Sequence, residues 1–127
     1  LDTVLLTAPT TDEKRLPAVL QFASGFLYFV SVLGITGTKS STEEAIRGHV
    51  TRLRKQTKLP IGVGFGIRTP DQAAAVARIA DAAVVGTAIV ERVKAGLDDK
   101  GVPKPDLLPG VFSYIRALSE GVRNARG

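Results

Sequence analysis

Two short runs, Gly64-Phe65-Gly66-Ile67 and Gly86-Thr87-Ala88-Ile89, hold the residues of this sequence best suited to chemistry. Glycine leaves the backbone N–H clear of any Cβ, and Gly86-Thr87 passes straight into a helical pattern. N–H groups presented at a helix N-terminus, where the macrodipole is positive, form an anion site that suits phosphate. A single Gly-x-Gly reads more readily as a tight turn with close helix–strand packing. A second glycine run one strand–helix unit later moves the reading to phosphate, with Gly64, Gly66, Gly86 and Thr87 as the expected contacts. A third run, Ser31-Val32-Leu33-Gly34-Ile35-Thr36-Gly37, opens a connection that extends to Ser41. That is longer than the roughly 2–6 residues usual between a strand and its helix. Gly34 and Gly37 supply hinges with Thr36 between them, as in a lid. The alternative is a flexible connector with no role.

Groups for acid–base or metal chemistry are scarce. There is no cysteine, which excludes disulfides and thiolate metal sites, and a single histidine, His49, gives no basis for a zinc site or a Ser-His-Asp triad. His49 falls in mid-helix between Arg47 and Arg52 and reads as an exposed surface imidazole. Asp12, Glu13, Glu43, Glu44 and Asp71 all fall in first helical turns, where capping and the helix dipole account for them. No catalytic residue, metal or cofactor is expected from this chain.

The elements that would position the glycine runs follow from hydrophobic pattern and cap signals. Thr3–Leu6, Phe26–Val30, Ile61–Gly64 and Ala82–Val85 are continuous apolar or β-branched runs, as in strands buried on both faces. A helix follows each. The first spans Thr11 to Ala23, regular from about Leu16 because of Pro17. The second starts at the capping box Ser41-Thr42-Glu43-Glu44 and runs to about Thr57; the third starts at Thr69-Pro70-Asp71-Gln72 and runs to Ile79. A short helix from Ala88 to about Ala95, a Gly/Pro/Lys loop to Pro105, and a helix over about Leu107–Asn124 complete the chain. Strand–helix alternation with short connections predicts a parallel sheet with right-handed crossovers. The site of such a sheet lies at the C-terminal ends of its strands, where all of the glycine runs fall.

Composition sets the outer limits. The 127 residues, 44% hydrophobic and 23% charged, match one globular domain over 1–127. The net charge of +5 comes from basic residues scattered along helical patterns, without a basic block or interleaved aromatics, which argues against nucleic acid. Apolar runs fall far short of the ~20 residues of a membrane span, and no signal peptide is evident. The expectation is a soluble, cytoplasmic protein that does not bind membrane.

Taken together, Gly25-Phe26-Leu27-Tyr28-Phe29-Val30-Ser31 with Val32-Leu33-Gly34-Ile35-Thr36-Gly37, then Gly62-Val63-Gly64-Phe65-Gly66-Ile67-Arg68-Thr69-Pro70, then Asp81 to Val90, resemble the sixth, seventh and eighth strands and loops of tryptophan synthase alpha chains. Ala8-Pro9-Thr10-Thr11 fits the end of their fifth strand. The resemblance covers nearly the whole chain in order. The Gly34–Gly37 run with Gly-Phe-Gly-Ile is its specific part, since the Gly-Thr-Ala-Ile motif is shared loosely by many phosphate-binding barrels. It implies an α/β fold, the C-terminal four βα units (strands 5–8) of a TIM (β/α)8 barrel. It also implies cleavage of indole-3-glycerol phosphate to indole and glyceraldehyde 3-phosphate, with indole passed to a beta chain. Gly37, Gly66, Gly86 and Thr87 would then hold the phosphate, Tyr28 and Phe65 would flank the indole, and Thr36 would order the lid. The family often has serine in place of Thr87, which offers the same hydroxyl and N–H, and some members have tyrosine in place of Phe26.

The glutamate and aspartate that serve this reaction in the family lie on early strands, and nothing in the sequence matches them. The chain alone is therefore expected to be inactive, a fragment of a longer product, since Leu1 stands directly before a strand without a methionine. Its open sheet edges would need an N-terminal half-barrel or self-association. A non-catalytic phosphate-binding or assembly module stays open as a second reading. So does another phosphate barrel, such as an indole-glycerol-phosphate synthase or a ribulose-phosphate epimerase.

Overall fold

The computed structural model describes residues 1–31 and 39–127, with the backbone only for 39–42. The elements in order are β1 (Leu5–Thr7), α1 (Leu16–Leu20), β2 (Leu27–Val30), α2 (Lys39–Arg54), β3 (Ile61–Gly64), α3 (Pro70–Ala77), β4 (Ala82–Ala83), α4 (Thr87–Ala95) and α5 (Leu107–Asn124). The strands form one parallel sheet in the order β1-β2-β3-β4, with Leu6 beside Tyr28, Tyr28 beside Gly62 and Gly62 beside Ala82. Strands that follow one another in space as in sequence, all parallel, imply crossovers of one hand that put every helix on the same face. A doubly wound sheet would reverse its order part-way.

Burial agrees with helices on one face only. Leu27, Phe29, Ile61 and Val63 are fully buried against Leu16 of α1, Ile46, Val50 and Leu53 of α2, and Val76 of α3. The other side of the same strands is open: Leu6 is 60% and Phe26 36% exposed, with Tyr28, Val30 and Val84 half-buried. The continuous apolar runs predicted strands covered on both faces, and this holds only for β3, while β2 alternates buried and half-buried. Even in β3 the second face is covered by neighbours, not by a layer. A Cβ on Gly62 would lie 3.3 Å from the Phe26 ring and one on Gly64 2.7 Å from the Tyr28 hydroxyl oxygen. The two glycines are thus the floor on which the aromatics of the adjoining strand lie.

Several boundaries differ from the sequence expectations for local reasons. β1 starts at Leu5, because the Thr3 N–H goes to Ser24 Oγ at 2.7 Å and the Thr3 carbonyl accepts from the Ser24 N–H at 2.8 Å. The first helix is reduced to Leu16–Leu20; the Asp12 carboxylate accepts from the Arg15 N–H at 2.8 Å just before it. α2 begins at Lys39, ahead of the expected cap at Ser41, whose side chain lies outside the described residues. The box at Thr69 forms as expected: Thr69 Oγ1 accepts from the Gln72 N–H at 3.3 Å and Gln72 Oε1 from the Thr69 N–H at 3.2 Å. At the far edge, β4 is pinned by Asp81, whose carboxylate accepts from the Ile61 N–H at 2.9 Å and pairs with Arg54 at 3.1 Å. Among the described residues no helix is long and apolar enough to cross a membrane.

Candidate functional site

A cavity of about 230 Å³ opens where β2, β3 and β4 end, lined by Tyr28, Val30 and Ser31, by Gly64 through Arg68, and by Val84 and Gly86 through Ala88. Tyr28, Gly64, Phe65, Gly66, Gly86 and Thr87, singled out from sequence, meet there. Thr36 and Gly37, with Gly34 of the expected lid, lie outside the described residues.

Each wall has a local cause. Gly66 has φ +80°, a left-handed conformation that costs an L-residue about 1–2 kcal/mol, and a Cβ there would meet open space. Glycine is required by the backbone at this position, not by crowding. Gly86 caps α4 without a side-chain hydrogen bond, and its carbonyl takes the Ile89 N–H at 2.9 Å and the Val90 N–H at 3.2 Å. The Thr87 and Ala88 N–H groups have no backbone acceptor among the described residues, as expected in a first helical turn. The Gly66 N–H is likewise without a backbone acceptor among those residues, so the lining of the cavity holds a rim of three donors free of backbone bonds. Tyr28 and Phe65 supply aromatic lining to the same cavity.

Among the lining residues that sequence reasoning did not assign to the site, two are polar. Ser31 is 6% exposed, its N–H donates to the Gly64 carbonyl at 2.9 Å, and its Oγ has no hydrogen-bond partner among the described residues. Arg68 pairs with Glu91 of α4 through two hydrogen bonds, one of them at 3.0 Å. The bonds from Arg68 hold the Glu91 carboxyl below its usual range, and Glu91 raises the Arg68 guanidinium in turn. The signal for Arg68 was present: it is the charge that directly follows Gly-Phe-Gly-Ile.

Among the described residues no carboxylate lines this cavity. Glu13 and Glu44 border a separate, more basic cleft with Arg47, Arg52 and Lys55 along α2, and Asp81 is engaged at the other end of the sheet. His49 requires a correction: it is not an exposed surface imidazole but is half-buried, stacked on Phe29 with ring centres 5.2 Å apart. Helix α2 turns that position towards the sheet, so the ring packs where an apolar side chain would. Among the described residues no group of three or more potential ligands could hold a metal ion.

Comparison with known proteins places this geometry. The family model for the tryptophan synthase alpha chain matches residues 1–106. A tryptophan synthase alpha chain of Gluconacetobacter diazotrophicus is 49% identical over 126 residues, covering 99% of this chain and 46% of that protein. Among solved structures, tryptophan synthase subunit alpha of Legionella pneumophila superposes with a TM-score of 0.78 at 30% identity, over 98% of this chain and 43% of the other. A Mycobacterium tuberculosis tryptophan synthase structure does so with 0.77 at 34% identity, over 97% and 42%. The chain thus spans less than half the length of the curated relatives it matches. Its four parallel βα units are the C-terminal half of a (β/α)8 barrel. Among the phosphate-binding barrels that the glycine runs left open, the match decides: the chain belongs to the tryptophan synthase alpha chain family.

Proposed function

We propose that this chain carries the phosphate and indole side of an alpha-chain active site. The whole protein would act as an aldol-type lyase of tryptophan biosynthesis that cleaves indole-3-glycerol phosphate to indole and glyceraldehyde 3-phosphate. The observation that carries the reading is the convergence of Gly66, Gly86 and Thr87 with Tyr28 and Phe65 around one cavity. The phosphate would take the N–H groups of Gly66 and of the first turn of α4, where donors and the helix dipole act together. The indole would lie between Tyr28 and Phe65, and Thr36 and Gly37 would close over it. Indole would pass to a beta chain, as in the family.

Cleavage needs one proton delivered to the indole ring and one removed from a hydroxyl, and among the described residues no carboxylate borders the cavity to do either. Each such group is worth about 10²–10⁴-fold, so the chain alone binds without turning over. Those carboxylates belong to the half-barrel that would complete the sheet beyond β1 and β4; a second copy of this chain could cover the same edges without supplying them. The test is to titrate the labelled chain with inorganic phosphate and with indole-3-glycerol phosphate. Shifts at the Gly66 and Thr87 amides without indole release are the expected outcome. Turnover by the 127-residue chain would contradict the assignment of the acid–base groups elsewhere, and absent shifts would contradict the phosphate site. The second reading, a non-catalytic phosphate-binding or assembly module, draws on the same missing carboxylates. An N-terminal half that restores turnover on mixing excludes it.

A further inference from the structure

We infer that Arg68 is a positioning residue: paired with Glu91, it fastens the loop after β3 to the helix after β4, so that the Gly66 N–H and the open N–H groups of α4 face one anion. This rests on the phosphate reading above. Arg68 is the junction of three elements. Its guanidinium makes two bonds to the Glu91 carboxylate in the second turn of α4, Nη1 to Oε2 and Nη2 to Oε1, a fork-on-fork pairing that fixes orientation as well as distance. Its backbone N–H donates to Gln72 Oε1 of α3 at 2.7 Å, and its carbonyl accepts from the Tyr114 hydroxyl of α5 at 2.8 Å. Tyr114 is 8% exposed and carries the Arg92 guanidinium 4.4 Å from its ring centre, which ties α4 to the same point again. Gly66, two residues away at φ +80° and with no side chain to anchor it, is the part of the rim most in need of such a tie.

Arg68 also lines the cavity, and a guanidinium there could be a direct phosphate ligand. Its fork is occupied by Glu91, which neutralises it. The two roles therefore respond with opposite sign to loss of Glu91. A direct ligand is released and phosphate binds more tightly. A positioning residue is untied and phosphate binds more weakly.

The experiment uses the full chain with Arg68→Ala, Glu91→Gln, Tyr114→Phe and the swapped pair Arg68→Glu/Glu91→Arg, and two readouts. The first is amide hydrogen exchange without ligand at position 68, whose N–H is bonded to Gln72 Oε1, and at Ile89, whose N–H is bonded to the Gly86 carbonyl; the second is the affinity for inorganic phosphate. All three single variants should speed exchange at position 68. Arg68→Ala and Glu91→Gln should each weaken phosphate binding about two- to fivefold, the scale of an exposed ion pair. Tyr114→Phe should act in the same direction, and the swapped pair should recover part of both effects. Unchanged exchange in Arg68→Ala and Glu91→Gln overturns the proposal, as does tighter phosphate binding by Glu91→Gln. Faster exchange in the variants of a chain that binds no phosphate would uphold the tie and refute the phosphate reading instead.

Discussion

On the helix side of β2, Leu27 and Phe29 are wholly buried, while next to them on the other side Phe26 keeps 36% of its surface and Leu6 of β1 keeps 60%. The residues are of the same kind and come from the same apolar runs. What differs is the cover: α1, α2 and α3 supply the packed side, and among the described residues no helix supplies the other. The comparison teaches that hydrophobicity marks a surface for burial without naming what will bury it. On the open side, that surface passes directly into the wall of the candidate site, through Tyr28 and Val30.

The sharpest way to break the comparison is to truncate one residue on each side. Phe29→Ala should cost about 3–5 kcal/mol in denaturant unfolding, since it opens a cavity in the packed layer and removes the stacking partner of His49. Leu6→Ala should stay within about 0.5 kcal/mol, as expected for an exposed position. If Leu6→Ala costs as much as Phe29→Ala, the open side is covered in solution, and sedimentation of the wild-type chain should then show a mass above that of a monomer.

The next effect probes the glycine floor. Gly64→Ala sets a Cβ 2.7 Å from the Tyr28 hydroxyl oxygen, so Tyr28 must move, at a cost on the order of 1–3 kcal/mol. A change in Tyr28 fluorescence should accompany it; an unchanged stability and spectrum would show that Tyr28 does not rest on this glycine in solution. Smaller still is the contrast between the two rim glycines. Gly66→Ala should lose about 1–2 kcal/mol from its left-handed backbone, whereas Gly86, at φ −118° with open space around a Cβ, should accept alanine with little strain. Equal costs at the two positions would remove the conformational argument for Gly66.

The smallest expected effect is that of pH, and it belongs to the packed side. Burial, and secondarily the Arg52 charge, lowers the His49 pKa from its ordinary 6.5. The unfolded chain therefore takes up the proton first: stability is complete above about 6.5 and declines as pH falls towards the folded value. Replacing His49 with glutamine should flatten this limb of the stability profile. A second, lower limb belongs to Asp81. Desolvation raises its pKa, but the Ile61 N–H and Arg54 outweigh that and leave it below the ordinary carboxylate value. The stability it contributes is present above the ordinary value and lost as pH falls through the folded one. Asp81→Asn should remove that limb while leaving the His49 limb in place.

Local signals are legible in the amino-acid sequence itself. The capping box at Thr69, the proline beside it and the span of α5 are readable because each depends on bonds between residues a few positions apart, and the β3 run because its apolar residues are consecutive. The glycine runs are legible for the same reason: the backbone freedom of Gly66 and the bare N-terminus of α4 are properties of a few consecutive residues. Other features need the tertiary structure. His49 reads as exposed because it falls between Arg47 and Arg52, and only the placement of α2 over β2 shows that it faces Phe29. Arg68 and Glu91 stand 23 positions apart, so their pairing exists only once β3 and β4 lie side by side. The same holds for the two faces of the sheet. Sequence determined that these strands are apolar; which side is packed and which stays open was decided by the helices lying all on one face, a long-range choice that no local window of residues encodes.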